Sequence, residues 1–225
     1  MWKIRRFQGF TRTEKLYVGT MFLLAILVVS WLQSYSIKGT RTDDYKWSPD
    51  GDRIPLRAIE RIANKRFVAW AANPVVIEAV QEANKKPAKS LDEIIQLDQR
   101  WIEEKVRQEW INELLNSQCS RYLRKVQAGK GGEKDLYGEI FVMDRQGCIV
   151  AMSGKTSDYW QGDEDKFIKS YADGEGAIFI NKVGYDRSIQ VFSLLQVSVP
   201  VLDPDTGKAV GAITVGLDLD VFAGQ

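Results

Sequence analysis

The sequence contains no histidine and only two cysteines among its 225 residues. The absence of histidine excludes histidine-ligated zinc, serine–histidine and cysteine–histidine nucleophile pairs, and imidazole acid–base catalysis. Two cysteines are too few for a thiolate metal cluster. Carboxylate, lysine and tyrosine chemistry and the binding of hard cations remain possible. We expect the protein not to be an enzyme and to carry no cofactor or resident metal.

The sequence also lacks an excess of charge of either sign, since the net formal charge is only +1. It is unevenly distributed: residues 1–15 hold five basic residues and one acidic residue, a net charge of +4, so the rest of the chain carries −3. A mildly acidic body lacks the basic surface that nucleic-acid binding requires. We therefore expect no nucleic-acid partner.

One uncharged apolar run follows the basic tail, and with its flanks it covers residues 16–35. A helix of this length can cross about 30 Å of hydrocarbon. A cleaved signal peptide is the alternative, but its apolar core would be shorter and would end in small residues, whereas this run continues into Trp31 and Leu32. Because basic residues mark the cytoplasmic end of a span, we expect residues 1–15 inside and the main domain outside. This topology predicts a single-pass protein of the bacterial inner membrane with a periplasmic domain.

The segment after the span changes from polar to helical. Residues 36–53 are polar, contain two glycines and a proline, and are interpreted as a linker. Apolar residues then recur at helical spacing over residues 54–128, which we interpret as a helical half. Within it, Ser90 and Glu93 form a capping-box pattern that predicts the start of one long amphipathic helix. Its aromatic residues are interpreted as core rather than as a cofactor site.

Residues 135–222 alternate in hydrophobicity and predict about five strands joined by turns. One short helix is predicted near residues 166–171, and D-P-D-T-G at 203–207 predicts a hairpin turn. Helices followed by an antiparallel five-stranded sheet make the fold class α+β, preceded by the N-terminal transmembrane helix. The extracytoplasmic domain is therefore expected to span residues 54–222.

Four carboxylates crowd around two aromatics within residues 153–167. The spacing does not fit a calcium-binding EF-hand loop, because Trp160 and Gly162 stand where oxygen ligands are needed. Three interpretations remain: a helix cap at a pocket edge, which is favoured by the helix dipole, an adventitious cation site, or a catalytic acid pair. We prefer the first of these.

In combination and in order, several segments resemble the PAS-like extracytoplasmic sensor domains called Cache or PDC. They are N-P-V-V-I-E-A-V (73–80), S-L-D-E-I-I-Q-L-D-Q-R-W (90–101), F-V-M-D-R-Q-G-C-I-V-A-M-S-G (141–154), S-D-Y-W-Q-G-D-E-D-K-F (157–167), Y-A-D-G-E-G (171–176), Q-V-S-V-P-V (196–201), D-P-D-T-G-K-A-V-G (203–211) and V-G-L-D-L-D (215–220). The likeness covers about residues 54–222. It implies a sheet with a covering loop and helix, between which such domains bind small molecules.

The resemblance also implies a set of ligand-binding residues that converge on one face of the sheet: Tyr159, Trp160, Lys166, Tyr171, Tyr185, Asp186 and Ser188. Two positions depart from the family's pattern. Lys166 stands where amine-binding members carry an aromatic residue, and Asp186 matches the usual acidic position only loosely. An inward-facing Lys166 would favour a small anionic ligand, and an outward-facing one would be solvated. An empty or degenerate pocket is the alternative to a working one.

Two functional hypotheses follow. The first is a membrane-anchored sensor-like module, without an output domain of its own, that binds a small ligand and signals through a partner. The second is an auxiliary structural subunit of a larger membrane complex, such as a respiratory or photosynthetic one. Both expect contacts with the lipid bilayer and with membrane or periplasmic protein subunits, and the fold class alone does not separate them.

Cys119 and Cys148 would lie on the oxidising side of the membrane in this topology. One lies late in the predicted long helix, and the other lies on the second predicted strand. A disulfide between them and two unpaired buried thiols are the alternatives.

Overall fold

The computed structural model describes residues 56–103, 109–129, 135–174, 176–181, 184–186 and 191–223, with 184–186 and 191–193 described by their backbone. The predicted basic tail, membrane span and linker, residues 1–53, lie outside these ranges. No helix within the described ranges is long and apolar enough to cross a membrane. The described residues all belong to one compact unit.

The first helical run consists of three consecutive elements: α1 (Leu56–Ile62), a π-helical turn (Ala63–Phe67) and α2 (Val68–Ala71). Its buried residues follow one another at intervals of four: Ile59, Ala63, Phe67 and Ala71. At about 100° per residue, an uninterrupted α-helix would turn the last of these about 120° away from the first. A π-helical turn has more residues per turn, so it keeps all four on the buried face.

The described part of the helical half contains four further helices: α3 (Pro74–Lys85), α4 (Leu91–Ile102), α5 (Glu109–Asn116) and α6 (Gln118–Gln127). The capping box is confirmed, since Ser90 Oγ accepts from the Glu93 amide and the Glu93 carboxylate accepts from the Ser90 amide. The single long helix predicted after Ser90 is wrong. Ser117 has an extended backbone and caps a new helix by accepting from the Ser120 amide at 3.1 Å, so α5 and α6 are separate.

The sheet is antiparallel and follows the helices, as the sequence predicts. Its strands are β1 (Tyr137–Met143), β2 (Ile149–Met152), β3 (Phe179–Ile180), β4 (Gly184–Asp186), β5 (Val191–Leu202) and β6 (Ala209–Asp218). They are arranged in the order β2-β1-β6-β5-β3, with β4 also paired to β5. Two more helices flank the strands: α7 (Asp165–Asp173), between β2 and β3, and α8 (Leu219–Ala223), after β6.

The short strands β3 and β4 share one edge of β5. β3 pairs with residues 197–198 and β4 with residues 191–194, both on the side opposite β6. The sheet is therefore five positions wide, as predicted, although it holds six strands. The sequence did not predict β4 as a separate strand, because a three-residue strand is defined by its pairing and not by its own pattern.

The two faces of the sheet pack against different helices. Alternate residues of β1 divide between two clusters, with Ile140 and Val142 in one and Phe141 and Met143 in the other. We call the first, which includes residues of α1, α2, α3 and α6, the main core. We call the second, which includes residues of α4, α5 and α7, the second core.

Cys119 and Cys148 are buried free thiols, which corrects the alternative of a disulfide between them. Cys119 belongs to the main core and Cys148 to the second core. Burial raises the pKa of each thiol to about 12. Both residues are therefore protonated, apolar packing elements at neutral pH.

Candidate functional site

The candidate site lies between α7 and the sheet face that carries the second core. Helix α7 packs on β5, β6 and β3, and its Phe167 joins Phe141 and Ala212 in the second core. Lys166 points into this interface, because its residue is only 6% exposed and its Nζ lies 5.4 Å from the centre of the Phe141 ring. The sequence did not decide whether the Lys166 side chain faces inward or outward, and in the structure it faces inward.

A continuous row of side chains crosses the sheet beneath α7. The register pairs Phe141 with Thr214, Thr214 with Ser198 and Ser198 with Phe179, so all four share one face. The hydroxyls of Ser198 and Thr214 are fully buried and lie 2.8 Å apart. Two lysines of α7 stand over the aromatic ends of the row, with Lys169 Nζ 4.9 Å from the Phe179 ring centre as the counterpart of Lys166 over Phe141.

A second polar pair lies two residues further along the strands. Gln196 Nε2 donates to Glu139 Oε1 at 2.8 Å, and Glu139 is 7% exposed. The two residues stand opposite Gly216 from either side. A Cβ at Gly216 would lie 2.8 Å from Glu139 Cγ, so only glycine leaves the space in which this carboxylate side chain lies.

The acidic cluster before α7 forms ion pairs with lysines of the same helix. Glu164 occupies the N-cap position but makes no capping hydrogen bond with its side chain. Its Oε2 lies 3.1 Å from Lys166 Nζ, and Asp165 Oδ2 lies 2.6 Å from Lys169 Nζ. Within the described ranges, no group of three or more acidic or cysteine side chains could hold a metal ion. The acidic residues thus lie at the start of the helix, as the cap interpretation predicts. Their side chains form ion pairs with lysines and not the expected capping hydrogen bond.

Tyr159 and Trp160 lie at the β2 edge of the sheet, where Trp160 forms a bridge with Cys148. Asp98 Oδ1 holds both residues by accepting from the Tyr159 amide at 2.7 Å and the Trp160 amide at 3.0 Å. The Tyr159 ring packs between Trp101 and Trp110, at centroid distances of 5.6 and 5.2 Å. Burial raises the pKa of its hydroxyl, which is hydrogen-bonded to Cys148. Tyr159 is therefore a packing element of the second core.

The remaining predicted site residues have different outcomes. Tyr171 stacks on Phe167, with ring centroids 5.0 Å apart, and packs against the second core. The backbone of Tyr185 and Asp186 forms part of β4, and Ser188 lies outside the described residues. Four predicted residues thus lie on one side of the sheet: Tyr159, Trp160, Lys166 and Tyr171. The convergence of all seven stays a prediction.

Sequence reasoning missed the polar residues of the sheet face itself: Glu139, Gln196, Ser198 and Thr214. A signal for them exists, because V-S-V at 197–199 and I-T-V at 213–215 place one hydroxyl inside an apolar run. Alternation shows that such a residue faces away from its neighbours. Alternation does not show that Ser198 and Thr214 lie opposite each other, since that depends on the register of the two strands.

Comparison with known proteins finds similarity in structure alone. No protein-family model matches the chain, and no curated protein matches it. Among solved structures, the extracellular domain of the proposed histidine kinase rpHK1S-Z16 is 16% identical, with 76% of this chain and 62% of that chain covered and a TM-score of 0.39. The corresponding domain of vpHK1S-Z8 is 12% identical, with 75% and 53% covered and a TM-score of 0.41. The Escherichia coli DcuS sensor domain is 20% identical, with 59% and 91% covered and a TM-score of 0.34.

These matches are extracellular or sensor domains, the class that the sequence resembles. The antiparallel sheet, five positions wide and covered by α7, fits the PAS-like fold. The sheet topology and the covering helix therefore agree with the PAS-like architecture that the resemblance implies. The chain spans 62% and 53% of the first two structures. At such low identities and TM-scores, these proteins say nothing about its ligand, partner or activity.

Proposed function

We propose that this chain is a non-enzymatic, sensor-like module, anchored in the bacterial inner membrane, whose periplasmic domain binds a small anionic ligand under α7. The observation that carries the proposal is the buried ammonium group of Lys166. Burying a charge is costly unless it is paired. Its partner Glu164 is 40% exposed in its side chain, whereas the side chain of Lys166 is 8% exposed. Glu164 can therefore turn to solvent and leave the ammonium for an incoming carboxylate.

This exchange supplies two states that a sensor needs. Without ligand, Glu164 and Lys166 are paired at the start of α7. With ligand, the anion takes the place of Glu164 on Lys166, and the first turn of α7 is released from that contact. A ligand shifts an equilibrium only through differential affinity for two states, and the start of α7 is the element that would differ. Reporting the change across the membrane would require a partner protein.

The test measures binding of small carboxylates, with acetate, succinate and glutamate as probes, by thermal shift and titration calorimetry. We expect at least one probe to raise the melting temperature in a concentration-dependent manner. Lys166→Met should abolish the shift, and Glu164→Gln should increase the affinity by removing the competing carboxylate. Lys208→Gln, at an exposed position of the β5–β6 hairpin, is the matched control and should change nothing. The absence of any shift, or an equal shift in Lys166→Met, would contradict the proposal.

A second candidate function, an auxiliary subunit of a larger membrane complex, is favoured by the outer face of α4. Leu91, Ile95 and Ile102 are 55%, 38% and 53% exposed, although they are large and apolar. Their spacing of four and seven residues places them on one side of the helix, about 60–120° around its axis from the buried Ile94 and Trp101. Apolar ridges of this kind occur where another protein docks.

The docking candidate is tested in gently solubilised native membranes by sizing the complex that carries the chain. We expect a species larger than the monomer that is lost when Ile95 and Ile102 are both replaced by lysine. Val68→Lys, at a 42% exposed position on α2, is the matched control. Migration of the unaltered chain as a monomer, with no co-purifying protein, would refute a subunit role and leave the ligand-binding role intact.

A further inference from the structure

A groove of about 500 Å³ runs along the outer edge of β2, between α3 and α5. Ile149 and Val150 of β2 line it from the sheet. The wall from α3 is formed by Val75, Ala79 and Ala83, and the wall from α5 by Trp110 and Leu114. Its volume lies in the range of small-molecule sites. No residue of α7 lines it, so it is separate from the site under that helix.

The charges of the groove are segregated along α3. Glu78 lines it in the middle of that helix and Glu82 in its last third, and Lys86 and Lys89 line it just beyond the C-terminal end. At about 1.5 Å per residue, Glu78 and Lys86 are about 12 Å apart along the helix axis. Acidic residues thus precede basic ones along this wall, and Ala79 and Ala83 lie among them. Asp144 adds a carboxylate at the lysine end, where the neighbouring Arg145 amide donates to Asn84 Oδ1 at 3.1 Å.

Helix α5 runs in the opposite direction along the other wall. Trp110, at its start, packs 5.2 Å from the Tyr159 ring, and the Tyr159 carbonyl accepts from the Ile149 amide at 3.0 Å. The turn that precedes Ile149 contacts Lys89, whose amide donates to Gln146 Oε1 at 3.0 Å. The start of α5 is therefore at the lysine end. Glu113, one turn later, adds a carboxylate on the side away from that end.

Four of these charges have no ion-pair partner within the part of the chain that the structure describes. Glu82 pairs with Lys85, whereas Glu78, Glu113, Lys86 and Lys89 belong to no described ion pair. Glu78 and Glu113 therefore lie towards one part of the groove, and Lys86 and Lys89 towards the other, where Asp144 accepts hydrogen bonds from the amides of Gln146 and Cys148. A ligand that satisfies all of them carries both signs of charge.

We propose that this groove binds an extended zwitterion whose ammonium and carboxylate are about 10–12 Å apart and are joined by an apolar segment. The ammonium would lie against Glu78 and Glu113, and the carboxylate against Lys86 and Lys89. A free tripeptide has this length, since three extended residues span about 10 Å. A long-chain ω-amino acid has the same charge separation without a peptide backbone.

The test is titration calorimetry of the full-length protein with the tripeptide Ala-Leu-Ala, its N-acetyl form and its C-terminal amide. We expect the free tripeptide to bind about three- to fivefold more tightly than either capped form, the size of effect that partly exposed ion pairs give. A second arm uses 8-aminooctanoate. Comparable binding of this probe shows that the groove recognises charge separation alone, and markedly weaker binding shows that it also recognises the peptide backbone.

Variants assign each charge to its end of the groove. Glu78→Gln should weaken the free tripeptide but not its N-acetyl form, and Lys86→Gln should weaken the free tripeptide but not its amide. Ala79→Leu should fill the groove and reduce binding of every probe at least tenfold. Glu103→Gln and Ala172→Leu, at exposed positions outside the groove, are the controls.

Three results would overturn the inference, provided that urea denaturation shows each variant to be folded. They are an absence of binding by both the tripeptide and 8-aminooctanoate, equal binding of free and capped peptides, and equal loss in the groove and control variants. Variants at Lys166 leave this site unchanged. Failure here is therefore distinguishable from failure of the ligand site under α7.

Discussion

Lys166 and Glu164, two residues apart in sequence, form an ion pair whose two members are unequally buried. The side chain of Lys166 is 8% exposed and that of Glu164 is 40% exposed, with 3.1 Å between Nζ and Oε2. Removing the buried partner leaves a carboxylate that water can solvate, whereas removing the exposed partner leaves an ammonium group buried without its counter-charge.

This inequality gives the first stability prediction. We expect Glu164→Gln to lower the free energy of unfolding by roughly 1–3 kcal/mol, and Lys166→Met to change it by less than about 1 kcal/mol. Urea denaturation of both variants measures the difference. A larger loss in Lys166→Met than in Glu164→Gln would show that the ammonium group is better solvated than its burial indicates.

A second prediction concerns the buried hydroxyl pair of Ser198 and Thr214. Ser198→Ala should cost roughly 1–2 kcal/mol, because it leaves the Thr214 hydroxyl buried without its partner at 2.8 Å. Adding Thr214→Val should then cost little, since both polar groups are gone. A double-mutant cycle in urea measures the coupling. Strictly additive losses would show that the two hydroxyls act independently.

The turn between β1 and β2 depends on glycine at position 147. Gly147 has φ +77°, and a Cβ there would lie 2.3 Å from Gly162 Cα. Gly147→Ala should therefore destabilise the protein by about 2–3 kcal/mol. Gly207→Ala isolates the backbone effect, because Gly207 has φ +68° in open space, and Gly154→Ala, also in open space without a positive φ, should be nearly neutral. Equal losses at all three positions would contradict the close approach as the cause.

The thiols predict an alkaline loss of stability. Burial raises the pKa of Cys119 and Cys148 to about 12, whereas an unfolded thiol titrates near 8.5. The unfolded state loses these protons first, so stability is full below about pH 8.5 and falls as the pH rises towards 12. By pH 9.5 we expect a loss of roughly 1–1.5 kcal/mol per thiol, measured by urea denaturation.

The control for this prediction is the double variant Cys119→Ala, Cys148→Ala, which should be less stable at pH 7 but should show a shallower decline between pH 8 and pH 9.5. In the unaltered protein, both thiols should resist maleimide at pH 8 and react after unfolding. Rapid labelling of the folded protein would mean that the thiols are accessible.

Local signals were sufficient for several elements of this fold. The capping box at Ser90 and the turn at 203–207 are specified by residues close in sequence, and the structure confirms both. The break at Ser117 was missed, because the apolar stripe continues across it and hides the N-cap. The pairing of Cys119 with Cys148 was left open, since it depends on which face of the sheet each helix covers.

The candidate site was only partly predictable for the same reason. The covering helix and Lys166 follow from a local pattern and a family resemblance. The row from Phe141 to Phe179 joins four strands, and it exists only because their registers align. Sequence alternation assigns each residue to a face, but a shift of any strand would pair different side chains.

Asp98 joins α4 to the segment that leads into α7 by hydrogen bonds. Its carboxylate accepts from two consecutive backbone amides, at 2.7 and 3.0 Å. A displacement of α4 by about 1 Å away from this segment would stretch both bonds beyond hydrogen-bonding distance. A protein that docks on Leu91, Ile95 and Ile102 and displaces α4 would therefore also displace the segment of chain that carries Glu164. Docking of a protein on α4 and binding of a ligand at Lys166 would then be coupled through the two hydrogen bonds of Asp98.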